Sequence, residues 1–179
     1  MLDEILKTKG TSLEEYVKGA KEGLWLEFGV HTGDTINIIA QNTTNIVYGF
    51  DSFEGLPENW NCFEKGHFAC EIPKVPSNVV LIKGWFEDTL PEFVKKHKKE
   101  KVAFLHVDCD LYSSTKCIFD NLKNNFQDGS IICFDELLNY KGWEDHEWKA
   151  WNEFLEETNY KWKCLGKYGE HQVAFEIYK

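Results

Sequence analysis

Arginine is absent from this chain, and all 20 of its basic residues are lysine. Any anion must therefore be recognised by lysine or backbone N–H groups, since no bidentate guanidinium fork is available. No apolar run approaches the length that spans a bilayer. The segment Met1-Leu2-Asp3-Glu4-Ile5-Leu6-Lys7 is too polar for a signal peptide. A cytoplasmic protein with no membrane partner is the expectation. Basic stripes are also missing: net charge is -10, which argues against a nucleic-acid partner. The one dense basic stretch, Lys95-Lys96-His97-Lys98-Lys99, reads as a solvated helix end. The six cysteines contain no C-x-x-C pair. Cys109, Cys133 and Cys164 fall in or beside strand-like runs and read as reduced core thiols. Cys62 and Cys70 flank a loop and would bridge only in an oxidising compartment.

A length of 179 residues suits one domain with a single core. Apolar runs alternate with amphipathic stretches, the rhythm of a doubly wound, mostly parallel α/β sheet with helices on both faces. Strands are predicted at Leu24 to Val30, Asn45 to Phe50, Val79 to Ile82, Val102 to Val107 and Ser130 to Phe134. Helices are predicted from Asp34 to Gln41, Thr89 to Lys99, Ser114 to Asn124 and His146 to Glu157. Ser12 and Glu15 have the spacing of a capping box for a further helix. Near the end, Tyr160 to Leu165 and Val173 to Tyr178 are joined by so short a turn that they must pair antiparallel. No internal repeat or linker divides the chain.

Acidic residues stand where the apolar runs stop. Asp108 follows Leu105-His106-Val107, and Asp135-Glu136 follow Ile131-Ile132-Cys133-Phe134. Two buried strands ending side by side in carboxylates can aim oxygen ligands at one hard divalent cation. Zinc fits less well, because no His or Cys cluster has ligand spacing. At the end of the first strand, Glu27-Phe28-Gly29-Val30-His31-Thr32-Gly33 supplies two glycines for a tight turn. It lacks the close G-x-G and the third glycine of the dinucleotide fingerprint. Asp51, ending the second strand, is placed to accept hydrogen bonds from the ribose hydroxyls of an adenosine. Gly84-Trp85-Phe86-Glu87-Asp88 offers aromatic faces where an adenine would lie. Taken singly, Asp51 serves equally as a helix cap and Trp85-Phe86 as core.

Five stretches in order resemble the class I S-adenosylmethionine-dependent methyltransferases, in particular the macrocin O-methyltransferase (TylF/MycF) type. They are Glu27 through Gly33, Gly49-Phe50-Asp51-Ser52-Phe53-Glu54-Gly55-Leu56-Pro57, Gly84 through Pro91, Val107 through Thr115, and Gly129 through Glu136. The resemblance implies that Glu27 and Gly29 border the methionine part of the cofactor, with Gly33 and Ser52 also among the cofactor-binding residues. It implies that Asp51 holds the ribose, that Trp85 and Phe86 neighbour the adenine, and that Asp108, Asp135 and Glu136 bind magnesium. The family often carries Asp-Asp at the last two positions, so Glu136 is a departure. The chain is shorter than the macrolide enzymes on its N-terminal side, and the resemblance leaves room for a homo-oligomer.

The implied reaction is methyl transfer to a hydroxyl of a small molecule, a sugar or glycosylated metabolite. Coordination of the hydroxyl to a cation lowers its pKa and fixes it in line with the sulfonium methyl. Candidate proton acceptors are Asp108, Asp110 and His146, with Asp108 and His146 preferred. Asp110 serves equally as a helix cap, and His31 and His106 read as structural or as supporting the residues that bind. Residues 53–77, with Trp60, Phe63, His67 and Phe68, form a long loop that could close as a lid. Trp143, Trp148 and Trp151 could add an aromatic wall, although the last two have the spacing of a core stripe. Two other readings stand beside this one: a nicotinamide-dependent oxidoreductase and a non-catalytic cofactor-binding protein.

Overall fold

The structure, a computed structural model, describes residues 2–179. The elements run α1 (Leu2–Lys7), α2 (Leu13–Gly19), β1 (Leu24–Phe28), α3 (Asp34–Gln41), β2 (Val47–Asp51), β3 (Val79–Lys83), α4 (Phe86–Lys96) and β4 (Val102–Val107). Then follow α5 (Tyr112–Leu122), β5 (Phe126–Phe134), α6 (Glu147–Thr158), β6 (Lys161–Lys167) and β7 (Val173–Tyr178). All seven strands join one sheet in the order β3-β2-β1-β4-β5-β7-β6. The first five are parallel, and β7 pairs antiparallel with both β5 and β6. This is the expected doubly wound sheet with an antiparallel terminal pair.

The strand alternation sorts side chains into two cores. On β1, Leu24, Leu26 and Phe28 join the cluster under α4, α5 and α6, while Trp25 joins the cluster under α2 and α3. All five β1 residues are buried because strands flank it on both edges and helices cover both faces. At the far edge, α1 and the following turn guard β6. Gly10 N–H donates to the Lys167 carbonyl at 2.8 Å, and Lys167 N–H donates to Thr8 at 3.0 Å.

Several boundaries differ from expectation. Ser12 stands at the N-cap of α2 but its side chain makes no capping bond to the helix; Glu15 pairs with Lys18 instead, 2.9 Å away and one turn along. Helix α4 begins three residues early, at Phe86, with Glu87 and Asp88 in its first turn, where carboxylates suit the helix dipole. Helix α5 begins at Tyr112, so Leu111 occupies its N-cap and Asp110 does not cap it. Strand β5 starts four residues early, at Phe126, which pairs with Val102. All six cysteines are free, including Cys62 and Cys70. No described helix is long and apolar enough to cross a membrane.

Candidate active site

Connections from β1 run outward one way to β2 and β3, and the chain then returns to β4 and β5 on the other side. The reversal opens a crevice beyond the ends of β1 and β4, the place where such sheets bind ligands. Phe28 pairs with Val107 there, and Asp108 N–H donates to the Phe28 carbonyl at 2.9 Å. Gly29 follows at φ +91°, and a Cβ on it would lie 1.7 Å from the Asp108 carbonyl oxygen. Backbone meets backbone at this point, so no side chain fits.

Asp51 organises the turn that follows. Its Oδ2 accepts the N–H groups of Val30 at 2.8 Å and His31 at 2.7 Å, and its Oδ1 accepts that of Phe53 at 2.7 Å. Three backbone donors occupy most of the roughly four lone-pair directions of a carboxylate. Asp51 thus ties the glycine turn to the start of the long loop.

A cavity of about 430 Å³ occupies the crevice. Gly29, His31, Asp51 and Ser52 line it, with Trp85, Phe86 and Glu87 from the β3–α4 junction. Asp108, Asp110 and Glu136 line it as well. Leu56, Trp60, Phe63 and Phe68 of the long loop form a wall. Trp60 and Phe63 exchange backbone hydrogen bonds of 2.9 and 2.8 Å and stack at 5.7 Å, and Trp60 is only 7% exposed. In this conformation the loop is packed against the domain, with its aromatics already facing the cavity.

The acidic set carries strong mutual repulsion. Burial, and then Asp135, hold the Asp108 carboxyl well above the usual range. Burial, with Glu136 and Asp135, pushes Asp110 up to about 7. Burial raises Glu136 as well, although His171 opposes the shift. None of the cavity's lining residues is a lysine. Such a set is stabilised by protons or by a cation. Among the described residues, no three His, Cys, Asp or Glu side chains converge closely enough to hold a metal ion. The donors are nevertheless all hard oxygens, which fit magnesium in kind. An ion would have to draw Asp108, Asp135 and Glu136 together, and Asp135 Oδ1 meanwhile accepts the Gln172 side-chain N–H at 3.2 Å.

The structure brings Gly29, Asp51, Ser52, Trp85, Phe86, Asp108 and Glu136 to one cavity. Other expected members stand elsewhere. Glu27 does not line the cavity; it is fully buried, with its carboxylate 3.2 Å from His106 Nδ1 on the neighbouring strand. Burial raises the Glu27 pKa against the opposing effect of His106. Burial alone would lower that of His106, but Glu27, with Asp108 and Asp135, outweighs it and the pKa rises. Gly33, at φ +88°, is the N-cap of α3, and a Cβ on it would meet Pro73 rather than the cavity. Asp135 sits beside the lining and not in it.

His146 precedes α6 with its ring 6.4 Å from Trp60 and 6.2 Å from Tyr140, and burial lowers its pKa. It is not a lining residue, so Asp108 and Asp110 are the proton-acceptor candidates that face the cavity. His31, expected to be structural, does line it and packs edge-on against Phe68 at 5.9 Å. Trp143, Trp148 and Trp151 do not: Trp151 is fully buried core, and the other two pack on each other at 5.3 Å. The aromatic wall comes from the loop instead. Glu147, fully buried near the acidic set, was not among the expected site residues.

Residues 26–137 match the family described as a methyltransferase domain. Among solved structures, the chain is similar to CalS11, a calicheamicin methyltransferase, at 21% identity and TM-score 0.67, covering 90% of this chain and 74% of that one. It is similar to the O-methyltransferase NovP at 19% identity and TM-score 0.68, covering 93% and 78%. MycE, a methyltransferase of the mycinamycin biosynthetic pathway solved with Mg and SAH, is 10% identical with TM-score 0.57, covering 89% of this chain and 46% of that one. No curated protein sequence matches the chain. At these identities the likenesses establish the fold.

Proposed function

Because the chain belongs to the methyltransferase-domain family, we propose that it is an S-adenosylmethionine-dependent O-methyltransferase of the macrocin O-methyltransferase type. It would use a hard divalent cation to act on a hydroxyl of a small molecule, a sugar or glycosylated metabolite. The observation that carries this reading is the convergence of two residue sets on one cavity. Asp51 with the aromatic pair Trp85-Phe86 lines it together with Asp108, Asp110 and Glu136. Glycosylated and sugar acceptors are suggested by neighbours such as the CalS11 described as a TDP-rhamnose 3'-O-methyltransferase.

In this reading Asp51 and the Gly29 turn hold the nucleoside, and Trp85 and Phe86 give the adenine a flat apolar face. A cation held by Asp108, Asp135 and Glu136 would lower the pKa of the acceptor hydroxyl and orient it. Asp110, which faces the cavity, is placed to take the hydroxyl proton as the oxygen–carbon bond forms and the carbon–sulfur bond breaks. Leu56, Trp60, Phe63 and Phe68 exclude water from the reacting groups and cover the acceptor's apolar side.

The test pairs binding with turnover. S-adenosylhomocysteine is expected to raise the melting temperature and NAD is not. Transfer of labelled methyl from S-adenosylmethionine to a panel of methyl glycosides and catechols should cease in EDTA and return with magnesium. Stabilisation by NAD, or transfer undiminished by chelation, would overturn the proposal. Asp51→Ala should weaken S-adenosylhomocysteine at least about tenfold by calorimetric titration, because hydrogen bonds to a charged acceptor contribute about 1.5–3 kcal/mol each and three are lost from the turn. Unchanged affinity would mean that the turn holds without it and that the ribose lies elsewhere.

A further inference from the structure

We propose that His31 is the side chain that holds the carboxylate of the cofactor's methionine moiety. The inference rests on the S-adenosylmethionine reading above. That carboxylate is the one anionic group of the cofactor, and the cavity as a whole repels it. Asp51, Glu87, Asp108, Asp110 and Glu136 all line the cavity, no lining residue is a lysine, and the chain has no arginine. An anion brought there needs a donor able to offset that field, and charge-assisted hydrogen bonds are the strong ones. His31 is the lining residue whose side chain can both donate a hydrogen bond and carry positive charge, and it is exposed rather than packed away.

Its place on the sheet agrees. The strand order β3-β2-β1 sets Trp85 with Phe86, then Asp51, then the Gly29 turn beyond successive strand ends. A cofactor with its adenine after β3 and its ribose at Asp51 therefore extends its methionine arm toward the turn after β1, where His31 stands. The residue is held there from two sides. Its peptide N–H donates to Asp51 Oδ2 at 2.7 Å, and its ring meets that of Phe68 edge-on at 5.9 Å. Its φ is +47°, a left-handed conformation uncommon outside glycine, which the bonds from Val30 and His31 to Asp51 keep in place. The alternatives are weaker. Helix α3 opens with Asp34, and a Cβ on its N-cap Gly33 would meet Pro73, so its free N–H groups do not serve the cavity. Ser52 and Ser114 line the cavity as donors that carry no charge.

The test separates the carboxylate from the rest of the cofactor. Three ligands are titrated calorimetrically into the full chain: S-adenosylhomocysteine, its decarboxylated analogue, and methylthioadenosine, which lacks the whole amino-acid arm. His31→Phe keeps a ring against Phe68 and removes the donor. It is expected to weaken S-adenosylhomocysteine about 10- to 100-fold, the effect of losing one hydrogen bond to a charged group. The decarboxylated analogue and methylthioadenosine should bind this variant as they bind the parent. Equal weakening of all three ligands would mean that the residue only shapes the turn, and unchanged S-adenosylhomocysteine affinity would mean that the carboxylate is held elsewhere. Either result overturns the inference. If His31→Phe fails to fold, His31→Asn suits the left-handed backbone and draws the side chain back, and the same comparison of the three ligands decides. A parent chain that binds none of the three has no cofactor site in this cavity, and the methyltransferase reading itself then falls, taking the role of His31 with it.

Discussion

Asp108→Asn is expected to lower methyl transfer at least about a hundredfold while leaving S-adenosylhomocysteine affinity intact, because the change removes a charged oxygen ligand from a cation that activates the acceptor. Asp108 is the pivot of the site. It lines the cavity, its backbone is clamped to Phe28 by a 2.9 Å hydrogen bond, and burial with Asp135 makes its carboxyl costly to ionise. The asparagine keeps the shape and removes the charge, so folding should survive. In the absence of metal the variant should melt no lower than the parent, since one source of repulsion has gone. The measurement is a labelled-methyl assay across magnesium concentrations, with calorimetry for the cofactor. Full activity at ordinary magnesium would remove Asp108 from the metal centre, and a parallel loss of cofactor affinity would mean that it supports the cofactor instead.

Gly29→Ala should destabilise the protein more than any substitution confined to the surface. Two costs combine. The backbone there has φ +91°, which for a residue with a side chain costs about 1–3 kcal/mol. The added methyl would stand 1.7 Å from the Asp108 carbonyl oxygen, so β1 and β4 must part at their ends, and overpacking of that kind costs about 1–3 kcal/mol more. A total of a few kcal/mol is a large fraction of the roughly 5–15 kcal/mol that holds a domain together. Chemical denaturation should show the loss, and calorimetry should show cofactor binding weakened with it, because the same carbonyl belongs to a residue that lines the cavity. A variant as stable as the parent would mean that the turn relaxes without cost.

Much of this was legible in the residues, and the reasons differ by element. The strands were readable because a sheet covered on both faces needs continuous apolar runs, as in Leu24–Phe28 and Val102–Val107. Helix starts were less so. Helix α4 begins at Phe86 and α5 at Tyr112, positions that carry no capping side chain and are set by packing against the sheet. Glu147 is a charged residue in phase with Ala150, Trp151 and Phe154, on the buried face of α6, and that phase is readable from the spacing alone. His146, its neighbour, has its ring 6.4 Å from Trp60 and does not line the cavity.

By itself, the chain's order of apolar runs and terminal acids determined the doubly wound sheet and the edge on which the site forms, since strand ends follow from where the apolar runs stop. The tertiary structure decided which acids face the cavity. Glu136 lines it and Asp135 does not, although they are consecutive, since both lie past the end of β5, where the path of the bend sets which way each side chain faces. Glu27 ends on the Trp25 face of β1, against His106, a pairing set by the register between strands that are 79 residues apart in the chain. Register, helix phase and the path of residues 53–77 are long-range outcomes of packing. They brought carboxylates from separate parts of the sequence to one cavity that aromatic side chains also line.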